Sequence, residues 1–288
     1  MKREKIVLEE IRHLVTANCN LSCKHCYNRA GNKDITKARK YTQEEIDNFY
    51  HYFKPKVVSA TGGEPLLEYE TVKQIARSLK SYGAELELVT NAYFLTQQIL
   101  DELISINPNL SCQISLDGLN DYHNKIRGNK FAFEKALNGI KLCLDKGIPV
   151  KPRLTLMKDN YEETFKVIDL LNNISKPNDA IKLVIRPVVN FGRARDNDIK
   201  SVPHTEQELK KIFNNYSDHV EIGVTERCGF CTNSLAVDHN GDMYECCYLI
   251  PNKEYFIGNI TDDLSELTRN EEFINHKGKC YIKDKRNL

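Results

Sequence analysis

The chain has 288 residues, enough for one large α/β domain or for a domain with a smaller appendage. Its 41 lysines and arginines nearly balance 40 aspartates and glutamates, which gives no electrostatic case for nucleic acid or an anionic membrane as partner. The apolar runs are strand-sized and carry charges, so no membrane span is expected, and MKREKIVLEE lacks the apolar core of a signal peptide.

The predicted elements alternate along the chain. A strand near 8–16 is followed by YTQEEIDNFYHYF, a helix opened by the capping pair Thr42 and Glu45. Strands near 56–60, 85–90, 112–117, 150–157 and 181–188 are rich in Val, Ile and Leu. Helical periodicity fills 69–82, 96–105, 130–146 and 160–173. This alternation predicts an α/β fold of parallel βα units wrapped as an open or partial barrel. The pattern weakens over FGRARDNDIKSVPHT (191–205). A helix at 205–217 and a hairpin signal, SLAVDHNGDMYECC with its Asn240-Gly241 turn, come next. The chain is therefore divided into a core region, 1–200, and a cysteine-rich region, 201–288.

Ten cysteines in a chain expected to be cytoplasmic point to metal or redox chemistry rather than structural disulfides. Cys112 and Cys143 stand alone and are expected to be small buried hydrophobes. The others form two groups. In CNLSCKHCY, Cys19, Cys23 and Cys26 have the spacing C-x3-C-x2-C, with Tyr27 following, just beyond the first strand. A zinc site normally closes with four protein ligands. Three thiolates on a [4Fe–4S] cluster leave one iron open to a non-protein ligand. Zinc remains the alternative at this point.

Three more motifs follow strands. ATGGEPLL (60–67) places Gly62 and Gly63 where backbone can approach a ligand, and Glu64 and Pro65 beside them. VTNA (89–92) puts Asn91 at the end of the third strand. ISLDGLNDYHNKIRG (114–128) contains Ser115, Asp117 and Arg127. Together these motifs resemble the radical S-adenosylmethionine (SAM) superfamily, over about residues 8–190. The resemblance implies a partial (β/α)6 TIM-like barrel, a cluster held by the three cysteines, and SAM chelated at the open iron. One electron from the cluster then yields a 5′-deoxyadenosyl radical that abstracts a hydrogen atom. It further implies that the GGEP stretch contacts the SAM amino group and that Ser115 and Arg127 hold the carboxylate, while Asp117 touches the ribose or a substrate. Arg127 as a surface ion pair is the alternative.

In the second group, GDMYEC (241–246) has the form G-x4-C, and Cys228 and Cys231 precede it. This is similar to the opening half of a SPASM domain, in its shorter twitch form. The resemblance implies one auxiliary [4Fe–4S] cluster with Cys228, Cys231, Cys246 and Cys280 as ligands. A zinc ribbon remains open, as does Cys247 in place of Cys280. If Cys246 and Cys247 end a strand, their side chains face opposite ways. Cys247 then faces the barrel mouth as a hydrogen-atom donor, the chemistry of an epimerase. Dehydrogenation and peptide cross-linking are the alternatives, and a non-catalytic electron-transfer module is a remoter one. The substrate is expected to be a peptide or a small natural product, with a flavodoxin or ferredoxin as electron donor. With 18 residues before Cys19, no separate N-terminal leader-binding domain is expected.

Overall fold

A computed structural model describes residues 8–31, 37–225, 234–250 and 252–267. Cys228, Cys231 and Cys280 lie outside the described residues. The six predicted strands are all present, their ends within two residues of expectation: β1 (Glu10–Thr16), β2 (Val57–Gly62), β3 (Glu85–Thr90), β4 (Leu110–Ser115), β5 (Val150–Leu156) and β6 (Lys182–Pro187). Helices α1 (Gln43–Phe53), α2 (Tyr69–Lys80), α3 (Gln97–Ile106), α5 (Ala132–Asp145) and α6 (Tyr161–Ile174) connect them, with a short α4 (Asn120–Arg127) before α5. The Thr42–Glu45 capping box closes reciprocally at the start of α1.

The helices show why the sequence chose them. On α2, Val72, Ile75, Ala76 and Leu79 recur at helical spacing and are all buried. On α5 the same stripe runs Ala136, Gly139, Ile140 and Cys143. Cys143 therefore belongs to the core, and it meets Cys112 of β4, which is equally buried.

With β7 (Glu221–Val224), β8 (Ser234–Val237), β9 (Asp242–Tyr244) and β10 (Phe256–Asn259), the strands among the described residues form one sheet in the order β10-β9-β8-β1-β2-β3-β4-β5-β6-β7. The stretch divided off at residue 201 contributes to both ends of it. After α7 (Arg193–Asp196), α8 (Glu206–Tyr216) packs Phe213 and Tyr216 against Phe165 of α6. It leads into β7, parallel to β6. At the other edge β8 lies parallel to β1. The predicted hairpin forms between β8 and β9, and β10 pairs with β9.

Strands buried on both faces normally read as continuous apolar runs. These alternate instead. Ile11, Leu88, Ile114, Leu154 and Ile185 face the helices within the main core. Their neighbours Arg12, Val89, Gln113, Ser115, Arg153 and Arg186 line an interior cavity. Parallel pairing brings the C-termini of β1 to β8 to one end of that cavity.

Candidate active site

Beyond β1 the chain enters the loop of Cys19, Cys23 and Cys26, all three of which line the cavity. Neighbouring elements hold this loop from several sides. Lys24 N donates to Ile126 O of α4 at 2.8 Å, Arg193 N of α7 to Cys26 O at 2.9 Å, and Arg193 Nε to Cys23 O at 2.7 Å. Donors also reach the sulfurs: Leu21 N to Cys19 Sγ at 3.4 Å, Asn91 Nδ2 to Cys19 Sγ at 3.8 Å, and Arg127 Nη1 to Cys23 Sγ at 3.7 Å. Such donors offset the charge of metal-bound thiolates.

Burial pushes the Cys19 thiol up to about 12, against the Leu21 amide, and raises Cys23 as well, against Arg127. Only the deprotonated thiolates bind metal, so loading of a cluster would displace these protons. Among the described residues no three His, Cys, Asp or Glu side chains come close enough together to hold one ion. Three thiolates lining one cavity are one short of the four protein ligands that close a zinc site, and they match a four-iron cluster with one iron left open. The donor set fits that group.

The two glycines at the end of β2, Gly62 and Gly63, serve the backbone directly. Gly63 N donates to Thr16 O at 2.7 Å and Glu64 N to Asn18 O at 2.8 Å, which locks this turn to the start of the cysteine loop. A Cβ on Gly63 would lie 1.9 Å from Asn18 O, and one on Gly62 2.3 Å from Thr16 O. Gly62 also has a φ of 137°. Both glycines line the cavity, whereas Glu64 and Pro65 lie outside its lining. Pro65 opens a single 3-10 turn, Pro65–Glu68.

Glu64 is fully buried and accepts from Thr90 Oγ1 at 2.6 Å, Asn91 N at 2.9 Å and Leu66 N at 3.2 Å. Its carboxylate, within the stretch expected to contact the SAM amino group, is engaged in fixing the ends of β2 and β3. Burial raises its carboxyl to about 7 against these three donors. Asn91 faces the cavity, donates to Asn20 Oδ1 at 2.9 Å, and is followed by Ala92 at a left-handed φ of 61°.

Ser115 and Arg127 both line the cavity. Arg127 is not on the surface. It ends α4, a helix the sequence reading did not separate from the fourth strand, and is 8% exposed. Asp117, expected beside the ribose or a substrate, instead lies behind the wall. It is fully buried and outside the cavity lining, 2.7 Å from Arg127 Nε, while His25 Nε2 donates to it at 2.8 Å and Thr155 N at 2.9 Å. Every oxygen of its carboxylate is committed to holding a neighbour. His25 itself lines the cavity and was missed; its place between Cys23 and Cys26 was the available signal.

Tyr27 lines the cavity beside Tyr248, their ring centroids 4.7 Å apart. The cysteine pair requires a correction. β9 stops at Tyr244, and Cys246 and Cys247 sit in the following turn, closed by Leu249 N donating to Cys246 O at 2.9 Å. Alternation along a strand therefore does not separate them. Both are buried, yet only Cys247 of the two lines the cavity. Arg12, Arg153 and Arg186 were also missed. Their signal was an arginine at alternate positions within otherwise strand-like runs, as in KPRLTL and KLVIRP.

A model of the radical SAM superfamily matches residues 14–171, more than half of the chain. The chain belongs to the radical SAM superfamily. A second model, of the SPASM iron–sulfur cluster-binding domain, matches 228–287. A radical SAM enzyme of this composition uses a [4Fe–4S] cluster and SAM, and its SPASM region carries auxiliary iron–sulfur binding. The chain is 31% identical over 204 residues to the AdoMet-dependent heme synthase of Methanosarcina barkeri (strain Fusaro / DSM 804), covering 69% of this chain and 56% of that one. It is 26% identical over 280 residues to the antilisterial bacteriocin subtilosin biosynthesis protein AlbA of Bacillus subtilis (strain 168), covering 91% and 59%. Thus it spans little more than half the length of these relatives. Among solved structures, Streptococcus suis SuiB bound to S-adenosylmethionine shares the fold at a TM-score of 0.75 and 14% identity, covering 93% of this chain and 66% of that one. Among the described residues no helix is long and apolar enough to cross a membrane.

Proposed function

We propose that this radical SAM enzyme modifies a peptide substrate and inverts a carbon centre in it, with Cys247 as hydrogen-atom donor. In this reading Cys19, Cys23 and Cys26 ligate the SAM-binding cluster. Gly62, Gly63 and Asn91 bound the amino-acid end of SAM, Ser115 and Arg127 take its carboxylate, and Tyr27 packs at the rim. When bound, SAM supplies the 5′-deoxyadenosyl radical that removes a hydrogen atom from an unactivated C–H bond. Cys228, Cys231, Cys246 and Cys280 ligate one auxiliary cluster, as in the twitch form, and a flavodoxin or ferredoxin delivers electrons.

One observation carries the epimerase reading: Cys247 lines the same cavity as the three cysteines of the loop, and Cys246 does not. A substrate radical formed in that cavity lies within the reach of a buried thiol. Hydrogen delivered from the face opposite to abstraction inverts the centre. Return of the Cys247 thiyl to the thiol would take one proton and one electron, which the auxiliary cluster would supply when reduced. A peptide substrate is supported by AlbA and by the sporulation killing factor maturation protein SkfB of Bacillus subtilis (strain 168), 28% identical over 219 residues and covering 72% of this chain and 50% of that one.

The test is turnover in deuterated water. The product should carry one deuterium at the inverted carbon. Cys247→Ala should keep its iron and still release 5′-deoxyadenosine without yielding that product. A product two hydrogens lighter would assign dehydrogenation or cross-linking instead, and loss of auxiliary iron in the variant would make Cys247 a ligand.

A further inference from the structure

The described lining of the cavity contains six cationic or titratable basic side chains, Arg12, His25, Arg127, Arg153, Arg186 and Arg193, and no aspartate or glutamate. Arg12, His25 and Arg127 are met from behind the wall: Glu10 lies 2.8 Å from Arg12, and Asp117 lies 2.7 Å from Arg127 and 2.8 Å from His25 Nε2. Arg153 is different. Its guanidinium makes one long hydrogen bond, Nη1 to Gln113 Oε1 at 3.4 Å, and among the described residues no carboxylate stands within ion-pair distance of it.

The register places a second arginine beside it. Arg153 lies opposite Val184 and Thr155 opposite Arg186, so Arg153 and Arg186 share the inward face of β5 and β6, one diagonal step apart. Ser115 lies directly across from Arg153 on β4. Burial first, and then the like charges of Arg186 and Arg12, lower the Arg153 pKa to about 10. Guanidinium groups are shaped for bidentate contact with carboxylate or phosphate oxygens.

We propose that Arg153 and Arg186 form a subsite for an oxyanion of the substrate, a carboxylate or a phosphoryl group, brought into the barrel beside the SAM pocket. This rests on the reading of the cavity as the place where substrate meets SAM. An amino-acid side-chain or terminal carboxylate of a peptide would satisfy it.

The test uses the full chain, reconstituted anaerobically and saturated with SAM, with glutarate, inorganic phosphate and uncharged glutaramide as probes in ligand-observed NMR titration. Wild type should bind glutarate or phosphate saturably and leave glutaramide unbound. Arg153→Gln and Arg186→Gln should each weaken the anion at least tenfold while changing SAM affinity less than twofold, and Arg153→Lys should retain part of the binding. Glutarate tighter than phosphate assigns a carboxylate, and the reverse a phosphoryl group. The subsite is overturned if neither anion binds saturably, if both glutamine variants bind as wild type does, or if SAM affinity falls with the anion's. Reductive SAM cleavage by the same samples reports separately on the reading beneath it.

Discussion

Arg127 Nε lies 2.7 Å from Asp117 Oδ2, and neither side chain has meaningful access to water. Burial alone would raise the Asp117 carboxyl, but Arg127 and then His25 outweigh it and hold it well below the usual carboxylate range. The stability this pairing adds is present above about pH 4, the unfolded value, and is lost only as pH falls further. Removing one partner of a buried pair typically costs about 3–5 kcal/mol. Arg127→Ala should therefore lower the unfolding midpoint sharply at neutral pH. Where the variant folds, SAM should bind roughly ten- to hundredfold more weakly, since a charge-assisted contact is worth about 1.5–3 kcal/mol. Unchanged SAM affinity in a folded, iron-loaded variant would leave Arg127 with a purely structural role.

Gly63 and Gly83 make a paired test of the backbone lock. At Gly63 a methyl group meets Asn18 O at 1.9 Å, a backbone atom that cannot rotate away. At Gly83, with φ of 76°, nothing lies within 4 Å. Gly83→Ala should cost only about 1–2 kcal/mol, the price of a left-handed alanine. Gly63→Ala should cost more and also reduce iron in the first cluster, because it displaces the strand end that launches the cysteine loop. Equal thermal shifts and equal iron in the two variants would contradict this.

Glu64 predicts a pH dependence of the opposite sign to Asp117. Its carboxyl is raised to about 7 in the fold. The fold then binds the proton more tightly than the unfolded chain, so stability falls as pH rises from the unfolded value of about 4.5 through 7. Between pH 6 and 8 this amounts to about 1 kcal/mol. Glu64→Gln should flatten that part of the profile in urea unfolding. It should also be less stable at pH 6, because its amide N–H group would face Asn91 N–H or another donor.

Iron analysis tests the ligand sets. Reconstituted protein should hold about eight irons, four for each of two clusters. Replacing Cys19, Cys23 and Cys26 together with alanine should leave about four and abolish SAM cleavage. Iron near four in the intact chain, with stoichiometric zinc, would overturn the auxiliary assignment.

Much of this could be read from the chain because the signals are local. The C-x3-C-x2-C spacing limits what three thiols can hold. Runs of Val, Ile and Leu separated by stripes such as Val72, Ile75, Ala76 and Leu79 mark strands and helices through periods of two and 3.6. The identity of Cys112 and Cys143 as core residues followed from their isolation. What stayed hidden depends on neighbours distant in sequence. Glu64 looks like a ligand-binding carboxylate until the end of β3 is laid beside it, carrying Thr90 and the Asn91 amide. Asp117 looks equally exposed beside Gly118 until α4 folds Arg127 back against it.

The sequence by itself determined the superfamily chemistry, the order of strands and helices, and which cysteines begin the site, since each depends on residues a few positions apart. Only the tertiary structure decided which side chains share the cavity. Arg12, Arg153 and Arg186 sit on three strands, and the parallel register of β5 on β6 gives the last two a common inward face. Cys247 enters the same cavity from a turn beyond β9, not by strand alternation. Convergence of this kind is set by hydrogen-bond register and chain reversal across the whole sheet, and no local spacing encodes it.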